Sequence, residues 1–227
     1  MPRSRRMLIS AGPTHEPIDA VRYIGNRSSG RMGIALAEAA RDAGWEVTLL
    51  LGPVALPPPL DVRTYSFETA AELEALLAEH FPACDVLIMA AAVADYRPRA
   101  ACVSKLPRTE GPLLLELEPT PDLVARCAAR KRPDQRIIGF ALEEPGVLAE
   151  RAREKLRRKG LDAIVANPLS AMGATDVAAT LFTADGRVIR MPEAAGAPGR
   201  AGDSGFCAAV SKEDFARWLM AWVEGRQ

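Results

Sequence analysis

The 227 residues can form one large domain or two small ones with a full core, and 48% hydrophobic with 26% charged residues is ordinary for a soluble globular protein. Basic and acidic residues number 29 each, which gives no indication of nucleic acid or an anionic membrane as a partner. The four cysteines have no metal-ligand or disulfide-framework spacing, and no signal peptide or apolar run of about 18 residues is recognisable. These features predict a cytoplasmic protein with reduced thiols, and Cys84 and Cys127 as small core residues.

Apolar runs alternate with helical patterns in the first 95 residues. Strands are predicted at 7–11, 47–51 and 85–93, a short extended segment near 62–65, and helices at 30–43 and 68–80. Continuous apolar strands that alternate with helices are typical of a parallel sheet buried on both faces. Residues 7–95 are therefore predicted to form the Rossmann-like half of the domain.

The remainder of the chain has a looser pattern, with 96–112 as a long exposed excursion. Residues 113–227 are predicted to contain strands at 113–117, 137–142 and 162–166, helices at 121–130 (with Thr120 as N-cap) and 147–159, a β-hairpin around Ala184-Asp-Gly186, and a final helix that packs Phe215, Trp218, Leu219 and Trp222 into the core. Residues 193–205 are predicted to be mobile. The predicted fold is a single α/β domain, 1–227, with a Rossmann-like, mainly parallel three-layer sheet, a C-terminal β-hairpin and an extended arm.

The connection between the first strand and the first helix, residues 11–33, is much longer than the usual two to six or so residues. It is rich in Gly and hydroxyl side chains and ends at a helix N-terminus, which favours anion binding. Gly12, Ser28, Ser29 and Gly30 are the predicted phosphate or substrate groups. The dinucleotide fingerprint is not met, because Gly12 and Gly30 are 18 positions apart and no acidic residue ends the second strand. An NAD(P)-dependent reductase stays as the weaker alternative.

Lysine is used sparingly, with five Lys against 24 Arg: Lys105, Lys131, Lys155, Lys159 and Lys212. We expect these lysines in roles that need a compact, flexible ammonium group. In helix 147–159, Lys155 and Lys159 lie on the face predicted to contact the sheet, where they would bind phosphate; extension to solvent is the alternative.

Small residues at the end of the strand 85–93, followed by Asp95, predict the approach of a flat base or a ribose to the backbone there. Tight packing of a helix on the sheet is the alternative.

Together these motifs resemble the phosphopantothenate–cysteine ligase family, the second half of the bacterial bifunctional coenzyme A biosynthesis flavoprotein. The matching segments are 11–14, 16–17, 21–33, 91–97, 121–124, 138–141, 155–159, 161–162 and 166–167. The resemblance implies that 4′-phosphopantothenate is joined to L-cysteine by an amide bond. CTP, with Mg²⁺, would convert the carboxylate to an acyl-cytidylate and release pyrophosphate, and the cysteine amine would then displace CMP. The choice between CTP and ATP stays open.

The resemblance also implies roles for individual residues. Asn26 is expected to bind the acyl intermediate with Arg22 beside it, and Lys105 to lie on a flap, residues 96–112, that shields the reactive anhydride. The implied nucleotide-binding residues are Met89, Ala90, Ala91, Asp95, Lys105, Pro121, Asp122, Leu123, Val124, Phe140, Lys155 and Lys159. The metal ligands stay unassigned. A homodimer is implied, with 96–118 and 178–191 as candidate arms.

Three features depart from the family pattern. The flap motif Lys-x-Lys-Lys is here Lys105-Leu-Pro-Arg108, Gly25 replaces a Ser before Asn26, and an Asn is lost around 176–179. A nucleotide-binding paralogue without ligase activity is therefore a second alternative. The decarboxylase half of the bifunctional protein has no counterpart in the sequence, which predicts a separate gene product or an expressed fragment.

Overall fold

The computed structural model describes residues 4–108, 110–171, 174–191 and 209–225. Its strands and helices, in chain order, are β1 (Arg6–Ala11), β2 (His15–Pro17), β3 (Tyr23–Gly25), α1 (Arg31–Asp42), β4 (Glu46–Leu51), β5 (Arg63–Ser66), α2 (Ala70–His80), β6 (Val86–Met89), β7 (Tyr96–Pro98), β8 (Leu117–Pro119), α3 (Leu123–Ala128), β9 (Arg136–Glu143), α4 (Leu148–Arg158), β10 (Ala163–Pro168), β11 (Asp176–Val177), β12 (Thr180–Thr183), β13 (Val188–Arg190), β14 (Val210–Ser211) and α5 (Lys212–Val223).

Eight strands form the main sheet in the order β13-β12-β10-β9-β6-β1-β4-β5. The six strands from β10 to β5 pair in parallel, and β12 and β13 add an antiparallel edge. Side chains alternate between the two faces as the strand period requires: Met7 and Ile9 pack with α1 and α5, and Leu8 packs with α2, α3 and α4. The predicted Rossmann-like, three-layer α/β fold is confirmed.

The chain order reverses around β1, which has β4 on one side and β6 on the other. In open α/β sheets, ligands bind outside the carboxyl ends of strands at such a switch point. The long connection 11–33 starts at this edge and forms the small β2–β3 hairpin before it reaches α1. The fold therefore places this connection beside the carboxyl ends of β1 and β6.

Three predicted boundaries are wrong. The central strand ends at Met89 instead of residue 93, because the backbone of the next residues bonds to the segment after β1. The predicted strand 113–117 lies instead at Leu117–Pro119, where it pairs with β7, and the preceding leucines are exposed. The N-cap of α3 is Asp122, whose carboxylate accepts the Ala125 N–H, while the Thr120 hydroxyl donates to the Ala94 carbonyl.

The hairpin around residues 184–186 is confirmed, but its strands β12 and β13 are part of the sheet and do not project as an arm. The aromatic residues of α5 pack in the core as predicted, with Phe215 fully buried. Burial raises the pKa of the Cys84 thiol to about 12 and that of Cys127 to about 11, as expected for core cysteines. The segment 193–205 lies outside the described residues. No helix in the described part of the chain has the length and apolar character needed to cross a membrane.

Candidate functional site

A cavity of about 730 Å³ opens at the carboxyl ends of β6, β9 and β10, between the loop 26–33 and α4. Most of the site residues predicted from the sequence or implied by the resemblance lie in its wall. These are Asn26, Ser28, Ser29, Gly30, Met89, Ala90, Ala91, Asp95, Pro121, Asp122, Leu123, Val124, Phe140, Lys155 and Lys159. Gly12, Arg22 and Lys105 are not among the lining residues. The cavity therefore brings together predicted site residues from segments that are distant in the sequence, but it does not include Gly12, Arg22 or Lys105.

The first turn of α1 forms one wall of the cavity. Gly30 is its N-cap, with φ at +70°, and no side chain caps the helix. The backbone N–H groups of an uncapped first turn attract anions, so this wall suits a phosphate group. Gly12 lies directly beneath: a Cβ placed on Gly30 would be 3.6 Å from the Gly12 backbone. Gly12 thus supports the loop and does not itself face the cavity.

The residues that follow β6 form the floor, and their backbone is held by β1 and the residues after it. The Ala91 N–H donates to Ser10 Oγ at 3.2 Å, the Ala92 N–H donates to the Gly12 carbonyl at 2.8 Å, and the Ala94 N–H donates to Thr14 Oγ1 at 2.9 Å. With the backbone fixed and the side chains of residues 90–92 reduced to methyl groups, a flat ligand can approach the chain closely there. Binding of a base or ribose at this floor stays a prediction.

Asn26 links the loop to this floor. Its Nδ2 donates to the Ala92 carbonyl at 3.2 Å and to the Val93 carbonyl at 2.9 Å. Both hydrogens of the amide group are therefore engaged, and Oδ1 is the atom left for a ligand. Donation from Nδ2 to an acyl carbonyl, the role that the resemblance implies, requires the release of one of these two bonds.

Asp19 and Arg22 lie beside the flap. The buried carboxylate of Asp19 accepts the backbone N–H groups of Val21 and Arg22 and, at 2.9 Å, Arg22 Nε. It also accepts the Leu106 N–H at 3.1 Å, and Arg22 Nη2 donates to the Leu106 carbonyl at 3.2 Å. The hydrogen bond from Arg22 holds the pKa of Asp19 far below its usual range. Asp19 therefore bonds both to Arg22 and to Leu106, the residue next to Lys105. The side chain of Lys105 itself is exposed.

Two lysines of α4 lie at the cavity, each paired with a carboxylate. Lys155 Nζ is 2.6 Å from Glu143 Oε1, and Lys159 Nζ is 3.0 Å from Asp122 Oδ2. Burial alone would raise the pKa of Glu143, but the hydrogen bonds and charges of Lys155 and Arg151 lower it. The lysines therefore point along the sheet edge and not away from it, which agrees with the face predicted from the helical periodicity.

Several lining residues had no site role assigned from the sequence. They are the basic residues Arg27, Arg31, Arg158 and Lys212 and the polar residue Asn167. Lys212 carried one signal, as a member of the small lysine set. Arg27, Arg31, Arg158 and Asn167 lie in segments that match the family, but no role was assigned to them. Lys131, another of the five lysines, pairs with Asp162 at 2.7 Å outside this cavity.

Within the described residues, no cluster of three or more His, Cys, Asp or Glu side chains could hold a metal ion. The carboxylates of Asp95 and Asp122 nevertheless line the cavity. Asp122 is already bound by Lys159 and caps α3, whereas none of the described ion pairs involves Asp95. Asp95 is therefore the better placed of the two to contact a cation carried in by a ligand.

Comparisons with known proteins define the family. Residues 3–197 match the family described as the DNA/pantothenate metabolism flavoprotein C-terminal domain. A coenzyme A biosynthesis bifunctional protein CoaBC from Vibrio cholerae is 42% identical over 189 residues, which cover 81% of this chain and 47% of that protein. A cysteine/cysteine sulfinic acid decarboxylase from an unknown prokaryotic organism is 48% identical over 171 residues, covering 75% and 47% of the two chains.

The crystal structure of the C-terminal domain of a CoaBC protein matches with a TM-score of 0.79 and 36% identity, covering 99% of this chain and 96% of that chain. The chain spans about half the length of the curated relatives it matches. The relationship to the C-terminal half of the bifunctional coenzyme A biosynthesis proteins, predicted from the motifs, is confirmed. By sequence and by fold, the chain belongs to the family of DNA/pantothenate metabolism flavoprotein C-terminal domains.

Proposed function

We propose that this domain joins 4′-phosphopantothenate to L-cysteine through an acyl-nucleotidylate, with CTP as the nucleotide. The observation that carries the proposal is the composition of the cavity wall. An uncapped helix N-terminus, a pair of lysines and a closely approachable backbone floor meet in one cavity. The first two suit the phosphates of a nucleotide, and the floor suits its base or ribose.

The chemistry requires activation because a carboxylate does not condense with an amine in neutral water. In the proposed reaction, a carboxylate oxygen of phosphopantothenate attacks the α-phosphorus of CTP and pyrophosphate leaves. The cysteine amine then attacks the acyl carbon, and CMP departs as the amide bond forms. The residues of this chain bind and orient the phosphates and keep water from the anhydride.

We propose that Mg²⁺ enters with the nucleotide and is held mainly by its phosphates. Mg²⁺ in such sites keeps several waters and uses only one or two protein carboxylates, so the exposed carboxylate of Asp95 fits it. When bound, the ion would offset the charge of the phosphates and of the leaving pyrophosphate.

Asn26 and Lys105 are the proposed residues for the acyl intermediate. Asn26 lies in the cavity wall, and the residue after Lys105 is bonded to Asp19 and Arg22. We expect Asn26→Asp and Lys105→Gln to release pyrophosphate from CTP but to form product at least about 100-fold more slowly, as is typical when one donor to a developing oxyanion is removed. Single-turnover assays that follow pyrophosphate and product separately test this expectation. Unchanged turnover in either variant would refute the corresponding role.

Pyrophosphate release from CTP and from ATP by the purified full chain, with phosphopantothenate and cysteine present, tests the proposal directly. Release with CTP and formation of the amide product support the ligase. Binding of CTP without pyrophosphate release would favour a paralogue without ligase activity, which the flap sequence Lys105-Leu-Pro-Arg108 keeps as the second candidate. The NAD(P)-dependent reductase alternative gains no support, since Gly12 lies beneath Gly30 and does not line the cavity.

We also propose that the protein is a homodimer that associates through the segment 96–118. Exposed apolar side chains are concentrated there: Val103 is 98% exposed and Leu114 is 88% exposed. Exposed apolar groups grouped in one segment mark interaction surfaces. Leu114→Glu is expected to shift the molar mass in solution from dimer to monomer, as measured by light scattering. A monomeric wild type would refute this part of the proposal.

A further inference from the structure

Lys212, the first residue of α5, is a buried lysine without a partner. Pairing of β11 with β14 and a hydrogen bond from the Lys212 N–H to the Thr175 carbonyl bring it to the cavity, where it is 5% exposed. Three other lysines form ion pairs with carboxylates, and Lys105 is exposed. In the described part of the chain, the ammonium group of Lys212 has neither an ion pair nor a hydrogen bond. Lys212 is thus the exception among the five.

The charges around Lys212 do not compensate it. Arg31, the first residue of α1, is near enough to disfavour the protonated form, and burial acts in the same direction, so the pKa of Lys212 is lowered. Glu213 and Asp176 act in the opposite direction, but neither forms an ion pair with Lys212. A cation on a largely buried side chain, without an acceptor among the described residues, costs free energy, and a neighbouring cation increases that cost. Two cations from the N-terminal ends of two helices therefore face one cavity, and no described ion pair neutralises the charge of Lys212.

A second polar group in the same cavity is also unsatisfied. Asn167, near the end of β10, is 9% exposed and lines the cavity, and its buried Oδ1 has no hydrogen-bond partner. Buried polar atoms in folded proteins are almost always hydrogen-bonded, so each exception needs an explanation. Asn167 and Lys212 come from segments far apart in the sequence, yet both lack partners at one cavity. A ligand that offers an acceptor to Lys212 and a donor, such as a hydroxyl or amino group, to Asn167 Oδ1 explains both.

We propose that Lys212 is a phosphate-binding residue of this cavity. Its ammonium group would donate to a phosphate oxygen, with Arg31 and the free N–H groups of the first turn of α1 as the neighbouring donors. The identity of the phosphate compound rests on the proposed function. It is either the polyphosphate chain of the nucleotide or the phosphate of 4′-phosphopantothenate.

Calorimetric titration of Lys212→Met tests the inference, with Arg217→Met as the matched control. Arg217 lies on the same helix with its side chain 67% exposed, so its substitution removes one positive charge outside the cavity. The full-length proteins are titrated with CTP, cytidine, inorganic pyrophosphate and 4′-phosphopantothenate in the presence of Mg²⁺. We expect Lys212→Met to raise the Kd of the phosphate ligand of this site by about 10- to 100-fold, the effect of losing one charge-assisted hydrogen bond. We expect Arg217→Met to bind every ligand with the Kd of wild type.

The titrations separate the two sources of phosphate. Weaker binding of CTP and pyrophosphate, with cytidine unchanged, assigns Lys212 to the nucleotide; weaker binding of phosphopantothenate alone assigns it to the substrate. The melting temperature of the ligand-free variant is a second measurement, and we expect it to equal or exceed that of wild type, because an unpaired buried charge has been removed. If Lys212→Met does not fold, Lys212→Gln replaces it.

The inference is overturned if the variant binds every phosphate ligand as wild type does, if it loses cytidine to the same extent as CTP, or if wild type binds none of the phosphate ligands. These results are distinct from failure of the proposed function. A wild-type protein that binds pyrophosphate through Lys212 but forms no amide product refutes the ligase and leaves the phosphate site standing.

Discussion

Gly33→Ala tests whether close contact between α1 and β1 fixes the cavity wall. A Cβ placed on Gly33 would lie 2.3 Å from the Ala11 Cβ and 3.0 Å from the Ala11 Cα, and both residues are buried. Carbon atoms in contact are separated by about 3.5–4.0 Å, so the first turn of α1 must move away from β1 by more than about 1 Å. Overpacking of a core costs about 1–3 kcal/mol, and a clash with a central strand belongs at the upper end. We therefore expect a loss of about 3 kcal/mol.

Urea denaturation and CTP titration of the full chain measure this effect. Gly146→Ala is the matched control, because no atom lies within 4 Å of a Cβ at Gly146, and we expect it to change the free energy of unfolding by less than about 0.5 kcal/mol. We also expect Gly33→Ala to raise the Kd of CTP by about tenfold, since the displaced turn carries the N–H groups proposed to bind its phosphates. Adding Ala11→Gly removes the clashing methyl group and should restore part of the stability. A Gly33→Ala variant with the wild-type free energy of unfolding would refute the reasoning.

Two further substitutions test contacts beside the cavity. Asp19→Asn removes the charge that binds Arg22, so we expect faster hydrogen exchange at the Leu106 amide. We also expect kcat to fall by on the order of 10- to 100-fold while the Kd for CTP stays unchanged. An unchanged rate of hydrogen exchange at Leu106 would contradict this reasoning. The pKa of Glu143 is lowered from 4.5, so its pairing with Lys155 stabilises the fold above that pH and is lost as the pH falls through the lowered value. Below about pH 4.5, stability should therefore decline less steeply in Glu143→Gln than in wild type, and parallel urea midpoints would be the contrary result.

The parts of the fold that follow from the local sequence pattern, above all the parallel strands, could be predicted. The apolar runs predicted the parallel strands, because a strand buried on both faces needs apolar residues throughout. The error at 113–117 has the opposite cause. That run of leucines is exposed, and the strand at Leu117–Pro119 is defined by pairing with Tyr96–Pro98, a contact between distant segments that periodicity does not report.

The predicted site shows the same division. The segments that line the cavity could be placed at the sheet edge, because parallel strands end together and the lysine face of α4 follows from the helical period. Lys212 and Asn167 could not, since one is brought in by the pairing of β11 with β14 and the other reads as the continuation of an apolar strand. The hydrogen bonds from the Asn26 amide group to the Ala92 and Val93 carbonyls could not be predicted either, because no sequence pattern indicates which backbone carbonyls a side chain contacts.

The length of the connection between β1 and α1 follows from the two structures that it contacts. Its second half lines the cavity, and Asn26 bonds to the floor after β6. Its first half carries Asp19, which bonds to the flap at Leu106, and the Ile18 carbonyl, which accepts the Cys102 N–H at 3.0 Å. A connection of two to six or so residues could contact only one of these. One covalently continuous loop therefore bonds to both: the turn of the β2–β3 hairpin, which carries Ile18 and Asp19, bonds to the flap, and Asn26, directly after β3, bonds to the cavity floor.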